Sequence, residues 1–163
     1  MKPTIIYTDG ACLGNPGPGG YGVVILQGGQ RKELTGGYRL TTNNRMELMA
    51  AIKALETLKS PSKVTLYTDS KYLYDAMTRD WAKRWRANRW WRNKREKATN
   101  IDLWKRLLDL CDTHTVTYKW TKGHAGDRDN EIADQLAVQA TRGENLPNDP
   151  GYQNDNGPRQ LSF

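Results

Sequence analysis

The sequence predicts a three-layer α/β fold on a mixed five-stranded sheet. Three observations predict it. Three strand-like runs stand together at the N-terminus, separated by turn residues. An apolar stripe at helical spacing follows them. Strand-type and helix-type segments then alternate to the end, so the order reads βββαβαααβα, with helices expected on both faces of the sheet.

Residues 3–9 (PTIIYTD) form the first expected strand. Val23 to Leu26 and residues 31–41 give the second and third, an antiparallel meander. GNPGPGG marks the first turn and Gln27-Gly28-Gly29-Gln30 the second. From Asn43, Leu48, Ala51, Ile52, Leu55 and Leu58 recur at helical spacing, with Thr41, Thr42 and Asn43 as candidate N-caps and Ser60-Pro61 as the stop. Residues 63–69 (KVTLYTD) are a fourth strand, followed by a short helix from Lys71. Residues 79–97 predict a helix with a projecting loop. Residues 100–111 are an amphipathic helix with Ile101, Trp104, Leu107, Leu108 and Cys111 on one side. Residues 115–120 (TVTYKW) alternate as a strand, 121–130 are a loop, and 131–141 are a last helix. After Arg142 the chain is rich in Pro, Gly, Asn and Asp, and a loose tail over 143–163 is expected. One folded domain over 1–142 is therefore expected.

The 163 residues suit one domain with its own core. Mean hydropathy is −0.83, and no stretch approaches the roughly 20 apolar residues of a membrane span. The N-terminus has no signal-peptide pattern. Cys12 and Cys111 give neither a disulfide framework nor a zinc spacing, so the reducing cytosol is the expected compartment. The net charge of +7 and pI near 9.5 point to a polyanionic partner. The charge is concentrated. Residues 79–97 hold nine basic and two acidic side chains, an excess equal to the net charge of the whole chain. Trp81, Trp85, Trp90 and Trp91 are interleaved with those cations, as a nucleic-acid backbone and sugar surface requires. Trp81 and Trp85, spaced i,i+4, also suit the inner face of a helix, and a mixture of packed tryptophans and outward cations is expected.

Four acidic residues stand at telling positions. Asp9 ends the first strand and Asp69 the fourth, where open α/β sheets gather ligands. Glu47 lies in the first turns of the first long helix, and Asp134 in those of the last. Taken singly, each has an ordinary explanation as a turn, cap or helix-terminal charge. Taken together, carboxylates brought close repel unless a cation lies between them, and oxygen-only ligands suit magnesium or manganese. Two such ions can clamp the attacking water and leaving oxygen of a phosphodiester. His124, between glycines in KGHAG, can move protons there, or it can be structural. GNPGPGG lacks the Gly-Lys-Ser/Thr ending of a phosphate loop, and is read as a turn that sets Cys12 and Asn15 beside a ligand.

TDGACLGNPGPGGYG, TTNNRMELMAAIKALETL, YTDSKYL, NIDLW and WTKGHAGDRDNEIADQLA resemble the bacterial ribonuclease HI family over about residues 4–141. The resemblance implies an RNase H-like fold. It implies a magnesium-dependent endonuclease, with two ions in the substrate complex and manganese as the alternative. Such an enzyme hydrolyses the RNA strand of RNA–DNA hybrids to 5′-phosphate and 3′-hydroxyl ends, as a cytoplasmic monomer. Asp9, Glu47, Asp69 and Asp134 match the family's metal-binding carboxylates and His124 its loop histidine. Cys12, Asn15, Asn43 and Asn44 match positions that contact the hybrid. Residues 79–97 resemble its basic protrusion, so Trp81, Arg84, Trp85, Arg86 and Arg89 are expected at the substrate. Lys71 departs from the pattern. The family often has Gln there, which donates and accepts, whereas Lys only donates. An integrase-type transferase is opposed by the KGHAG loop and basic segment, and a non-catalytic hybrid-binding module by the full set of carboxylates.

Overall fold

The computed structural model describes residues 1–122 and 127–152. The order expected from the sequence is the order observed: β1 (Lys2–Cys12), β2 (Gly17–Gln27), β3 (Gln30–Thr41), α1 (Asn43–Thr57), β4 (Ser62–Thr68), α2 (Lys71–Thr78), α3 (Trp81–Ala87), α4 (Ile101–Thr113), β5 (Thr115–Trp120) and α5 (Arg128–Ala140). The sheet runs β3-β2-β1-β4-β5. β1 pairs antiparallel with β2 and parallel with β4, and β4 pairs parallel with β5. The C-terminal ends of β1 and β4 therefore lie side by side. This puts Asp9 and Asp69 at one edge.

Local chemistry explains most boundaries. Gly28 and Gly29 both have positive φ (58° and 78°), as a two-residue hairpin turn needs to match strand twist. Of the three candidate caps, Thr42 caps α1: its side chain accepts from the Arg45 N–H. Ser70 does the same for α2 through Leu73 N–H. The last helix begins earlier than its apolar pattern, at Arg128, because Asp127 accepts from the N–H groups of Asp129 and Asn130.

The glycine-rich run is less of a turn than its composition suggests, since β2 already begins at Gly17. Its glycines mark close approaches on alternate faces of the strand. A Cβ on Gly19 would strike Thr41 and Met46 on the α1 side. One on Gly20 would lie 2.5 Å from the Ala137 carbonyl oxygen and 2.6 Å from Ala140 Cβ on the α5 side. Helices thus cover both faces, and α5 lies nearly backbone to backbone on the sheet. Gly22→Ala should cost about 3 kcal/mol, because the new methyl overlaps the Ala133 carbonyl and lies 2.8 Å from Leu136 Cβ. Denaturant unfolding checks this, with Gly28→Ala, whose Cβ meets nothing within 4 Å, as a control for φ strain alone.

The core lies between the sheet and α1, with α4 packed outside α1. Ile6, Val23, Leu48, Ile52, Leu55, Leu66, Trp104 and Leu107 are all fully buried there. The loose tail expected after Arg142 is corrected through residue 152. Arg39 N–H donates to the Pro147 carbonyl, the Arg39 guanidinium bonds Asn148, and Asp149 is 1% exposed. Composition missed this because the strap is held by polar side chains far away in sequence, not by an apolar pattern of its own.

Candidate active site

Asp9 and Glu47 meet because of Gly10. A Cβ at residue 10 would lie 2.5 Å from Glu47 N and 2.6 Å from the Met46 carbonyl carbon, so only glycine lets the end of β1 touch the first turns of α1. Carboxylate oxygens of Asp9, Glu47 and Asp69 come within 4.8 Å of one another. Asp9 is 6% and Glu47 5% exposed, whereas Asp69 is open to solvent. Asp9 opposes Gly22 in the register, the strand position that faces α5, and Asp134 of that helix is near enough for its charge to act on the Asp9 carboxyl. The four carboxylates expected from the sequence therefore converge, three in a tight triad and Asp134 through Asp9. Tyr7 and Tyr67, stacked with centroids 4.9 Å apart, adjoin the two strand ends on neighbouring strands. His124 lies outside the described residues.

The electrostatics of the cluster are those of a cation site. Burial, then the charges of Asp69 and Asp134, push the Asp9 carboxyl up to about 8, while the Gly10 N–H at 2.9 Å works against them. Burial and the neighbouring Asp9 and Asp69 raise Glu47 well above the ordinary carboxylate range. Among the described residues, Glu47 Oε1 is a buried side-chain oxygen with no hydrogen-bond partner. A buried acceptor is rarely left so. Crowded oxygen-only ligands with an orphaned lone pair fit a hard divalent cation.

Beside this cluster the β1–β2 turn is tied to α1, since Asn15 Oδ1 accepts from Asn43 N–H at 3.0 Å. The half-buried Cys12 thiol donates to the Thr41 and Gly17 carbonyls. Asn15 and the exposed Asn44 line a groove of about 680 Å³ whose far wall is Lys97, Thr99 and Asn100. A second groove, about 910 Å³, lies along the basic segment and is lined by Lys71, Tyr72, Trp81, Arg84, Trp85 and Trp91, among others. The expected mixture of roles is seen. Trp85 packs edge-on against buried Trp104 (5.7 Å between centroids), and Trp91 is 39% exposed. Arg84 faces the groove, but Arg86 sits 3.6 Å from Asp112 and Arg89 is an exposed corner residue with φ 56°. Lys71 Nζ lies 4.4 Å over the Trp120 ring, and the Trp120 indole donates to the Asp69 carbonyl. Lys71 is thus a cation held beside the carboxylates. Sequence reasoning missed Gly10, Trp120, Arg45 and Asp149. Arg45 carried a signal: a cation in the first turn of a helix opposes the dipole and calls for acidic partners.

Comparison with known proteins decides the family. The family model described as RNase H matches residues 1–142. The chain belongs to the RNase H family. Its similarity to the Ribonuclease H of Trichodesmium erythraeum (strain IMS101) is 64% identity over 91% of this chain and 94% of that one. Among solved structures, LC9-RNase H1, described as a type 1 RNase H with the type 2 active-site motif, superposes with a TM-score of 0.76 at 35% identity, over 88% of this chain and 74% of the other. LC11-RNase H1 in complex with an RNA/DNA hybrid gives 0.62 at 26%, over 85% and 96%. This RNase H chain has no described helix long and apolar enough to cross a membrane. Its family and its carboxylate cluster together indicate use of a divalent metal.

Proposed function

We propose that the chain is an endonuclease that hydrolyses the RNA strand of RNA–DNA hybrids, leaving 5′-phosphate and 3′-hydroxyl ends. The observation that carries the reading is the triad Asp9, Glu47 and Asp69, with its orphaned buried oxygen, beside a polar groove and a second groove walled by tryptophans and cations. Asp9, Glu47, Asp69 and Asp134 would hold two magnesium ions, or manganese, which supply Lewis-acid stabilisation and lower the pKa of water. The protein's own work is positioning. The cations of the arm, Arg84 foremost with Arg86 and Arg89, hold DNA phosphates, and Trp81 and Trp85 wall the groove that receives the strand. Asn15 and Asn43, already tied together, set the edge that meets the RNA 2′-hydroxyls, with Cys12 bracing the turn and Asn44 on the rim. Lys71 adds a fixed charge for a phosphate beside Asp69. His124 carries protons to and from the reacting oxygens. Cleavage is nearly independent of sequence, because phosphate and sugar contacts carry little base information. The free thiols of Cys12 and Cys111 suit a reducing cytoplasm, and the chain acts as a monomer.

A labelled RNA–DNA hybrid incubated with magnesium should yield short RNA fragments, with the DNA strand intact. Chelator should abolish cutting. A hybrid that is bound but survives intact with magnesium would make the chain a binding module instead.

A further inference from the structure

Arg45 is the third residue of α1, and its side chain is 1% exposed. A buried guanidinium at the positive end of a helix dipole is costly unless its donors are met. Nε donates to Asp149 Oδ2 at 2.7 Å and Nη2 to Asp149 Oδ1 at 3.0 Å. Nη1 and Nη2 donate to the two Asp102 oxygens at 2.9 and 2.7 Å, and Nη1 also reaches Asn100 Oδ1 at 3.2 Å. These bonds match the five N–H donors of a guanidinium. Thr41 donates to Asp149 from the end of β3, and a Cβ on Gly151 would overlap the Asp102 carboxylate. The strap is therefore pressed onto the cluster.

The network continues to the substrate side. Asn100, in the left-handed region (φ 58°), joins the basic arm to α4. It donates to Tyr72 Oη at 3.0 Å, as does the Trp104 indole at 3.1 Å, and Tyr72 lines the tryptophan groove. The Asn100 carbonyl accepts from Leu103 and Trp104 N–H. Leu103, Trp104, Leu107 and Leu108 anchor α4 in the core, and the buried stripe of α1 anchors that helix. The ion cluster is not needed to place either helix. What it fixes is the point where the arm leaves α4, relative to the α1 edge.

We propose that Asp149 is a positioning residue for hybrid binding: through Arg45 it holds Asn100, and so sets the root of the basic arm against the edge that carries Asn43 and Asn44. The inference rests on the hybrid-cleaving reading above. Asp149→Asn keeps the shape and removes the charge. It should raise KM for hybrid about tenfold with kcat changed by no more than about twofold, and its effect should be non-additive with that of Arg84→Gln. Asp102→Asn, at a half-exposed partner that leaves the Arg45–Asp149 pair intact, should raise KM by about threefold and serves if the first variant unfolds. Hydrogen exchange on the protein alone should quicken at the Leu103, Trp104 and Ala98 amides and stay unchanged in β1 and β2. KM unchanged in both variants, additivity with Arg84→Gln, or unaltered exchange at those amides would overturn the proposal. A parent chain that fails to cut hybrid while the exchange pattern still shifts would instead count against the enzyme reading and leave the mechanical link standing.

Discussion

Asp9→Asn should leave a folded protein that still binds hybrid and cuts it at least about 10³-fold more slowly, since the group common to all the carboxylate contacts loses its charge while keeping its shape. A gel assay with magnesium, alongside a binding titration, separates the two effects. Cutting at the parent rate would remove Asp9 from the chemistry. The same variant carries a stability signature. In metal-free protein the Asp9 carboxyl titrates near 8 rather than 3.8, from burial first and the Asp69 charge second. The folded chain thus holds this proton more tightly than the unfolded chain. Its contribution to stability is complete below about 4 and is lost as the pH climbs through about 8. With chelator present, Tm should fall between those limits, and Asp9→Asn should remove part of the slope and melt higher at pH 8. Added magnesium should recover stability in the parent and much less in the variant. Equal slopes for the two proteins would mean that the carboxylates do not repel as their geometry requires.

Neutralising the arm is the second large effect. Arg84, Arg86 and Arg89 replaced together by Gln should weaken hybrid binding on the order of 10²-fold near 0.1 M salt, with little change in kcat at saturation. Each phosphate left without its arginine should take about 0.9 from the slope of log K against log salt. Arg86, partly compensated by Asp112 at 3.6 Å, should contribute least, so the slope should fall by about two rather than three. Fluorescence anisotropy at several salt concentrations gives both numbers, and an unchanged slope would place the electrostatic grip elsewhere.

These two results bear on features that differ in how far a sequence reveals them. The arm is plain in composition, because its excess charge equals that of the whole chain. Which cations face the groove is not, since Asp112 reaches Arg86 from another helix. The carboxylates are legible as residue types at strand ends and helix starts. Their depth is not. Glu47 sits in α1 among residues buried on both sides of it in sequence, and its rank as a nearly buried acid depends on Gly10, thirty-seven positions away. The N-terminal turn can be recognised as a turn, but β2 enters it at Gly17 because its glycines are needed against helices, a demand no local pattern announces. The tail reads as loose from its Pro, Gly and Asn, while Asp149 answers the buried Arg45, which lies 104 positions earlier.

The sequence by itself determined the element order, the hairpin at Gly28-Gly29, a cap for α1 within Thr41–Asn43, the concentration of charge in one arm and the positions of four acids at strand ends and helix starts. Those follow from neighbours within a few positions, where periodicity, φ preference and side-chain capping act. Only the tertiary structure decided which acids are desolvated, how tightly they crowd, where the last strap lies and how Arg45 is satisfied. Desolvation and charge coupling depend on what the rest of the chain brings within a few ångströms, and that distance has no fixed relation to separation along the sequence.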